Sequence, residues 1–200
     1  MNEHKYYIIY KPFGMLPQFK DEAGRPVLGE LYDFPKDVYP VGRLDMDSEG
    51  LLILTNDTKL NHRLLNPKFK HSKKYLVQVD GAVTPQAIQQ LEKGVTISVN
   101  KKKHHTLPAK AQILDQDPQL PDRDPPVRFR KNIPTSFITL TLTEGKNRQV
   151  RKMTAAVGFP TLRLIRINIE KLRLGNMQPG EVMELSRNQV YKALFNEKRK

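Results

Sequence analysis

Hydrophobic and polar positions alternate with a period of two in several short runs along the chain, and with a helical period in only a few. Lys5 to Tyr10, Val38 to Asp45 and Gly50 to Thr55 read as strands. Lys11-Pro12-Phe13-Gly14 breaks the first, because proline lacks a donor for a ladder and glycine frees the turn. Asn56 or Asp57 caps a short helix in which Leu60, Leu64 and Leu65 share a face. Lys73 to Asp80 alternates, with Tyr75, Val77 and Val79 on one side. Thr84-Pro85 opens a helix that turns Ile88 and Leu91 inward and stops at Gly94. Val95 to Val99 and Ala109 to Leu114 are short strands, and Phe137 to Thr143 alternates cleanly. A helix follows from about Asn147 to Val157, closed by Gly158. Thr161 to Lys171 is a strand whose apolar parity flips between Leu164 and Ile165, as a bulge would produce. Val182 to Leu185 and a short basic helix complete the pattern. Strands outnumber helices and do not alternate strictly with them, which predicts an α+β fold with a largely antiparallel sheet.

The stretch from Asp115 to Pro134 has no usable periodicity. It is rich in proline and carries Arg128, Arg130 and Lys131, so it reads as a loop that meets phosphate. Charge sharpens the picture. The chain of 200 residues has a formal net charge of +13, clustered at several sites, which points to a polyanionic partner, most commonly nucleic acid. It contains no cysteine, so disulfides, thiolate metal sites and a cysteine nucleophile are excluded. The first apolar run, Tyr6 to Tyr10, is too short to span a bilayer, and a cytoplasmic protein is expected.

The candidate chemistry centres on Gly42-Arg-Leu-Asp-Met-Asp-Ser-Glu49. On an extended chain Arg43 and Asp45 point to the same face, which sets a carboxylate beside a permanent cation. A carboxylate held in one orientation there suits a nucleophile or base acting on an anionic substrate such as RNA. Asp45, Asp47 and Glu49 alternate, so a divalent-metal cluster is the rival reading and a charged turn the plain one. A metal site needs a further ligand; Glu144 is the sole candidate, and His4, His62, His71, His104 and His105 show no ligand spacing, so none is expected. In the helix after Glu144-Gly145, Arg148, Arg151 and Lys152 share a face while Val150, Met153 and Val157 share another. Cations in a first helical turn oppose the dipole, at a cost of roughly a few tenths of a kcal/mol each. Their placement fits an anion docked there, a phosphate or the carboxylate of Asp45; a solvated basic face is the alternative. Tyr75, beside Lys73 and Lys74, is either a core aromatic or a ring that stacks on a nucleobase. No phosphate-binding glycine loop and no nucleophile elbow is present, which argues against an NTPase, a dehydrogenase or a serine hydrolase.

These pieces, in this order, resemble the RsuA/RluB/RluE/RluF family of ribosomal RNA pseudouridine synthases. The likeness is carried by Tyr10-Lys-Pro-Phe-Gly14, by the run from Gly42 to Asp57, by Lys73-Lys-Tyr-Leu-Val77 and by Glu144-Gly-Lys-Asn-Arg-Gln-Val-Arg-Lys-Met153. Leu16-Pro-Gln-Phe19, Thr106-Leu-Pro-Ala109 and Val157-Gly-Phe-Pro-Thr-Leu-Arg-Leu-Ile-Arg166 draw it nearest to the RluE-type branch. The resemblance implies a catalytic fold with a mixed, mostly antiparallel central sheet flanked by helices, and a cleft between two lobes. The expected lobes are residues of about 1–70 and 71–190, with a basic tail from 191 to 200 and no S4-type domain. It implies isomerisation of a uridine in large-subunit rRNA, no cofactor, no metal and no membrane, with the chain acting as a monomer. Asp45 is then the catalytic aspartate, Tyr75 the ring that stacks on the target base, and Arg151 the basic partner of the aspartate. Arg43, Lys73, Lys74, Arg148, Lys152, Arg128 and Arg130 are expected to bind RNA. A non-catalytic rRNA-binding assembly factor shares every basic feature but has no use for Asp45; a metal nuclease would add chelator sensitivity.

Overall fold

The computed structural model describes residues 3–127, 131 and 133–196. In chain order the strands and helices are β1 (Tyr6–Lys11), β2 (Tyr39–Pro40), β3 (Glu49–Thr55), α1 (Thr58–Leu65), β4 (Lys73–Asp80), α2 (Pro85–Lys93), β5 (Thr96–Val99) and β6 (Lys102–His105). They continue as β7 (Lys110–Ile113), β8 (Thr135–Leu142), α3 (Gln149–Ala156), β9 (Thr161–Ile169), β10 (Leu172–Arg173), β11 (Val182–Glu184) and α4 (Arg187–Phe195). The α+β class read from the sequence is the class observed. The chain divides into two compact units, one of residues up to His71 together with those from Arg166 onward, the other Ser72–Ile165.

In the first unit β1 lies between β11 and β3, antiparallel to both, with Tyr6 opposite Thr55 and Lys11 opposite Gly50. All six residues of β1 and all seven of β3 are buried, so both strands are covered on each face. Ile9, Leu28, Leu52 and Leu54 form the middle of this core, with Tyr7, Val38 and Leu44 around them. Asp57 caps α1: its Oδ1 accepts from the Lys59 and Leu60 amides, and its Oδ2 from the hydroxyls of Tyr6 (2.8 Å) and Tyr191 (2.6 Å). Burial works to raise this carboxyl, but the bonds from Tyr191, the Leu60 amide and Tyr6 hold it below the usual range. One carboxylate thus ties α1, β1 and α4 together.

In the second unit β8 runs between β4 and β7, antiparallel to each. Val77, Val79, Ile138, Leu140 and Leu142 point into a core that Leu91 of α2 and Val150 and Met153 of α3 complete. Thr84 caps α2 by accepting from the Ala87 amide, and Gly94 ends it at φ +94°. β5 and β6 form a separate antiparallel hairpin.

Three expectations change. The strand expected over Val38 to Asp45 shrinks to Tyr39–Pro40, because Pro40 cannot donate and Gly42 takes φ +73°, a left-handed turn that a ladder does not tolerate. Leu65, expected to share a face with Leu60 and Leu64, is 46% exposed, whereas those two residues of α1 are buried. The parity flip in β9 falls where four successive positions, Arg163 to Arg166, are all buried, the signature of a strand covered on both faces. Among the described residues no helix is long and apolar enough to cross a membrane.

Candidate active site

Asp45 sits in the turn between β2 and β3, half-buried, with Leu44 buried before it and Met46 exposed after it. The Arg43 side chain is exposed. Since residues 43–45 are loop and not strand, the same-face argument for Arg43 and Asp45 loses its basis. The loop is held instead through its backbone. The Asp45 carbonyl accepts from the Ser48 amide at 3.0 Å, and the Met46 carbonyl accepts from the Gly14 amide at 2.9 Å. Gly42 enters this loop at φ +73°, a left-handed conformation that favours glycine, and a Cβ there would lie a tight 3.0 Å from Leu65 Cδ2 of α1.

The residue that sequence reasoning missed is Lys11. Its side chain is fully buried, and its Nζ donates to the carbonyls of Pro12 (2.7 Å), Met15 (2.7 Å) and Met46 (3.4 Å). This one ammonium joins the break after β1 to the loop that carries Asp45. Burial pulls Lys11 down to about 8, against the opposing attraction of Glu49, Asp47 and Asp45. The alternating acids considered as a metal cluster thus act electrostatically on a buried protein cation. Lysine is rarely buried unless paired, and the sequence signals at Lys11 were the Lys-Pro break and the Tyr10–Gly14 motif that holds it.

Tyr75 lies on β4 opposite Leu140 of β8, half-buried at the margin of the second unit's core. It packs against that core without being fully buried. Lys73 and Lys74 precede it on the same strand and are also partly exposed. Val150 and Met153 of α3 belong to the same core cluster as Tyr75. α3 begins two residues later than expected, with Arg148 as its N-cap in a left-handed conformation at φ 52°. Arg148 is exposed, while Arg151 and Lys152 are half-buried. Arg151 Nη1 lies 3.4 Å from the Thr161 carbonyl, and Lys152 Nζ lies 3.4 Å from Asn147 Oδ1. Arg128 and Arg130 lie outside the described residues.

Glu144 organises the approach to α3. Its Oε1 accepts from the Leu107 amide (2.9 Å) and Gln149 Nε2 (2.6 Å), and its Oε2 lies 3.1 Å from His104 Nε2. Gln149 Oε1 accepts in turn from the Lys146 amide at 2.9 Å. The carboxylate considered as a metal ligand is thus engaged on both oxygens and fixes the basic loop from Lys146 to Arg148. The adjacent His105 turns the other way, its Nδ1 3.3 Å from Thr96 Oγ1. Asp45 and Arg43 thus belong to the first unit, and Tyr75, Lys73, Lys74, Arg148, Arg151 and Lys152 to the second.

A family model described as RNA pseudouridylate synthase matches residues 5–156. The chain is 49% identical over 185 residues to Ribosomal large subunit pseudouridine synthase E of Vibrio parahaemolyticus, covering 92% of this chain and 75% of the relative. It is 49% identical over 174 residues to the protein of the same name from Xanthomonas axonopodis pv. citri, covering 86% and 89%. Identity to Ribosomal large subunit pseudouridine synthase B of Bacillus subtilis is 35% over 189 residues, covering 94% and 70%. A solved structure described as a crystal structure of pseudouridylate synthase superposes with a TM-score of 0.78 at 28% identity, covering 97% of this chain and 75% of that one. These five matches have one reading: the chain belongs to the RNA pseudouridylate synthase family.

Proposed function

We propose that this protein converts a uridine of large-subunit ribosomal RNA to pseudouridine, with Asp45 as the catalytic carboxylate, acting as a monomer in the cytoplasm. The observation that carries the proposal is the near-full-length similarity, at 49%, to relatives named for that activity. The C1′–N1 bond breaks, the detached uracil turns, and C5 bonds to C1′. C5 gives up its proton and N1 gains one, so atoms and electrons balance with no co-reactant. The target nucleotide must first leave its stack, at a cost of about a few kcal/mol.

Each group then has a physical task. Asp45 attacks the sugar or the base, or removes the 2′ proton; all three roles require a carboxylate fixed at this position. Lys11 supports that fixity by holding the Met46 carbonyl next to it. Arg151 supplies the positive charge that complements the aspartate, which is preorganised electrostatics. Tyr75 stacks on the extruded base. Arg43, Lys73, Lys74, Arg148, Lys152, Arg128 and Arg130 hold the RNA backbone.

Tyr75→Phe should retain most of the activity, whereas Tyr75→Leu should lose about 10-fold or more, the worth of one base–aromatic stack. Equal rates for the two variants would mean that no stacking occurs there. If six of the named cations meet phosphates, affinity for rRNA should fall about 1,000-fold between roughly 50 and 200 mM salt. A titration that shows affinity independent of salt would remove the backbone-binding role of these residues. A non-catalytic rRNA-binding factor would share that salt dependence, so only loss of turnover on changing Asp45 separates it from an enzyme.

A further inference from the structure

Phe69 is the one exposed phenylalanine among the described residues, at 53%, and nothing in the chemistry above uses it. It ends a single 3-10 turn, Pro67–Phe69, that follows α1. Lys70 closes this turn in a left-handed conformation at φ 49°, unusual for a residue with a side chain. Exposed single apolar residues are ordinary, and exposure alone would mean little. The surroundings of Phe69 are not ordinary.

The ring is the outer end of a ladder of rings. Phe69 lies 6.0 Å from His71, His71 lies 5.4 Å from Phe195, and Phe195 lies 5.4 Å from Tyr191. Tyr191 reaches the buried Tyr6 at 6.3 Å, and the Arg63 guanidinium sits 3.8 Å over the Phe195 ring. His71 is pinned by Glu170 at 3.1 Å. Phe69 is therefore mounted on packed groups that lead back to the core. The segment from Thr58 to His71 holds Lys59, Arg63, Lys68 and Lys70 with two histidines and no acid. Lys59, Lys68 and Lys70 are exposed. The other exposed aromatics with ring contacts, Tyr32 and Tyr39, have the opposite setting. From Phe19 to Tyr39 the chain carries Asp21, Glu22, Glu30, Asp33 and Asp37 against Lys20, Arg25 and Lys36.

We propose that Phe69, flanked by Lys68 and Lys70, is an RNA-binding subsite in which a single-stranded base stacks on the ring while the lysines hold its phosphates. A packed aromatic ring beside exposed lysines, on a segment that carries no acid of its own, is the composition that single-stranded RNA recognition requires. An acidic protein segment would satisfy the cations but has no reason to favour an aromatic platform. The subsite rests on RNA being the substrate of the proposed function, and it needs nothing from Asp45.

The test exploits the chain's lack of tryptophan. Phe69→Trp places a single indole at the platform, and its emission is followed while single-stranded oligouridylate is added. Binding of the unsubstituted chain and of Phe69→Ala is measured in parallel, with oligouridylate and with polyphosphate, a polyanion that has no bases. Emission should be quenched in step with binding. Phe69→Ala should bind oligouridylate about 10-fold more weakly and polyphosphate within about 2-fold of the unsubstituted chain, since its cations are intact. Tyr39→Ala should leave both affinities unchanged. Unchanged indole emission on bound RNA, or equal loss of RNA and polyphosphate binding, would overturn the subsite while leaving the proposed function standing. Preferential binding of an acidic peptide would also overturn it. No RNA binding by the unsubstituted chain would sink both readings.

Discussion

Asp45→Asn should lower pseudouridine formation by about 1,000-fold or more, the scale on which removal of a positioned catalytic group acts, while RNA binding stays within about 2-fold because no phosphate contact is lost. The substitution keeps the size of the side chain and removes the charge. The loop around it is held through its backbone, by bonds from the Ser48 and Gly14 amides and by the Lys11 ammonium on the Met46 carbonyl. The fold should therefore survive, and a melting temperature near that of the parent protein would show that it has. Single-turnover kinetics on rRNA separates the two quantities, since it reads the chemical step apart from binding. Turnover near the parent rate would refute the catalytic role of Asp45 and favour a non-catalytic binding factor.

Lys11→Met should be the most damaging change outside the reacting groups. It removes the ammonium donor from the carbonyls of Pro12, Met15 and Met46 and the attraction between that cation and Glu49, Asp47 and Asp45. Breaking a buried charged group out of its network costs about 3 kcal/mol, which lowers the melting temperature by about 6–12 °C for a chain of this size. Activity should fall about 100-fold even where the variant is fully folded, because a displacement of the Asp45 loop by an ångström is enough. The pH dependence carries a signature. Burial lowers Lys11 to about 8 in the folded protein, whereas in the unfolded chain it holds its proton up to about 10.4. Between these values the unfolded state binds more protons, so the Lys11 contribution to stability rises with pH across that window and is lost as pH falls through about 8. The stability gap between the parent and Lys11→Met should widen from pH 8 towards 10, as chemical denaturation at several pH values would show. A gap that stays constant or narrows would mean that Lys11 is not the buried titrating group.

The sequence and the structure agree where burial is one-sided or complete, and part where contacts are made at long range. β4 and β8 were legible because Val77, Val79, Ile138, Leu140 and Leu142 alternate with polar residues over a half-covered sheet. The caps of α1 and α2 were legible because Asp57 and Thr84-Pro85 are local chemistry. β6 was not, since Lys102-Lys103-His104-His105 has no apolar face and is a strand only by pairing with β5. The site divides in the same way. The candidacy of Asp45 rests on its local sequence neighbours, but the Arg43 argument assumed a strand that Pro40 and Gly42 end early. Lys11 could not be read as a buried anchor, because the groups it binds include a carbonyl 35 residues away. Glu144 has the same character: its partner His104 lies 40 positions earlier in the chain, and no local pattern links them.

The most direct measurement is a map of pseudouridines in large-subunit rRNA from cells that lack this protein, complemented with either the parent chain or Asp45→Asn. One pseudouridine should vanish on deletion, return with the parent chain and stay absent with the variant. An unchanged map on deletion, or full restoration by Asp45→Asn, would contradict the account at its root.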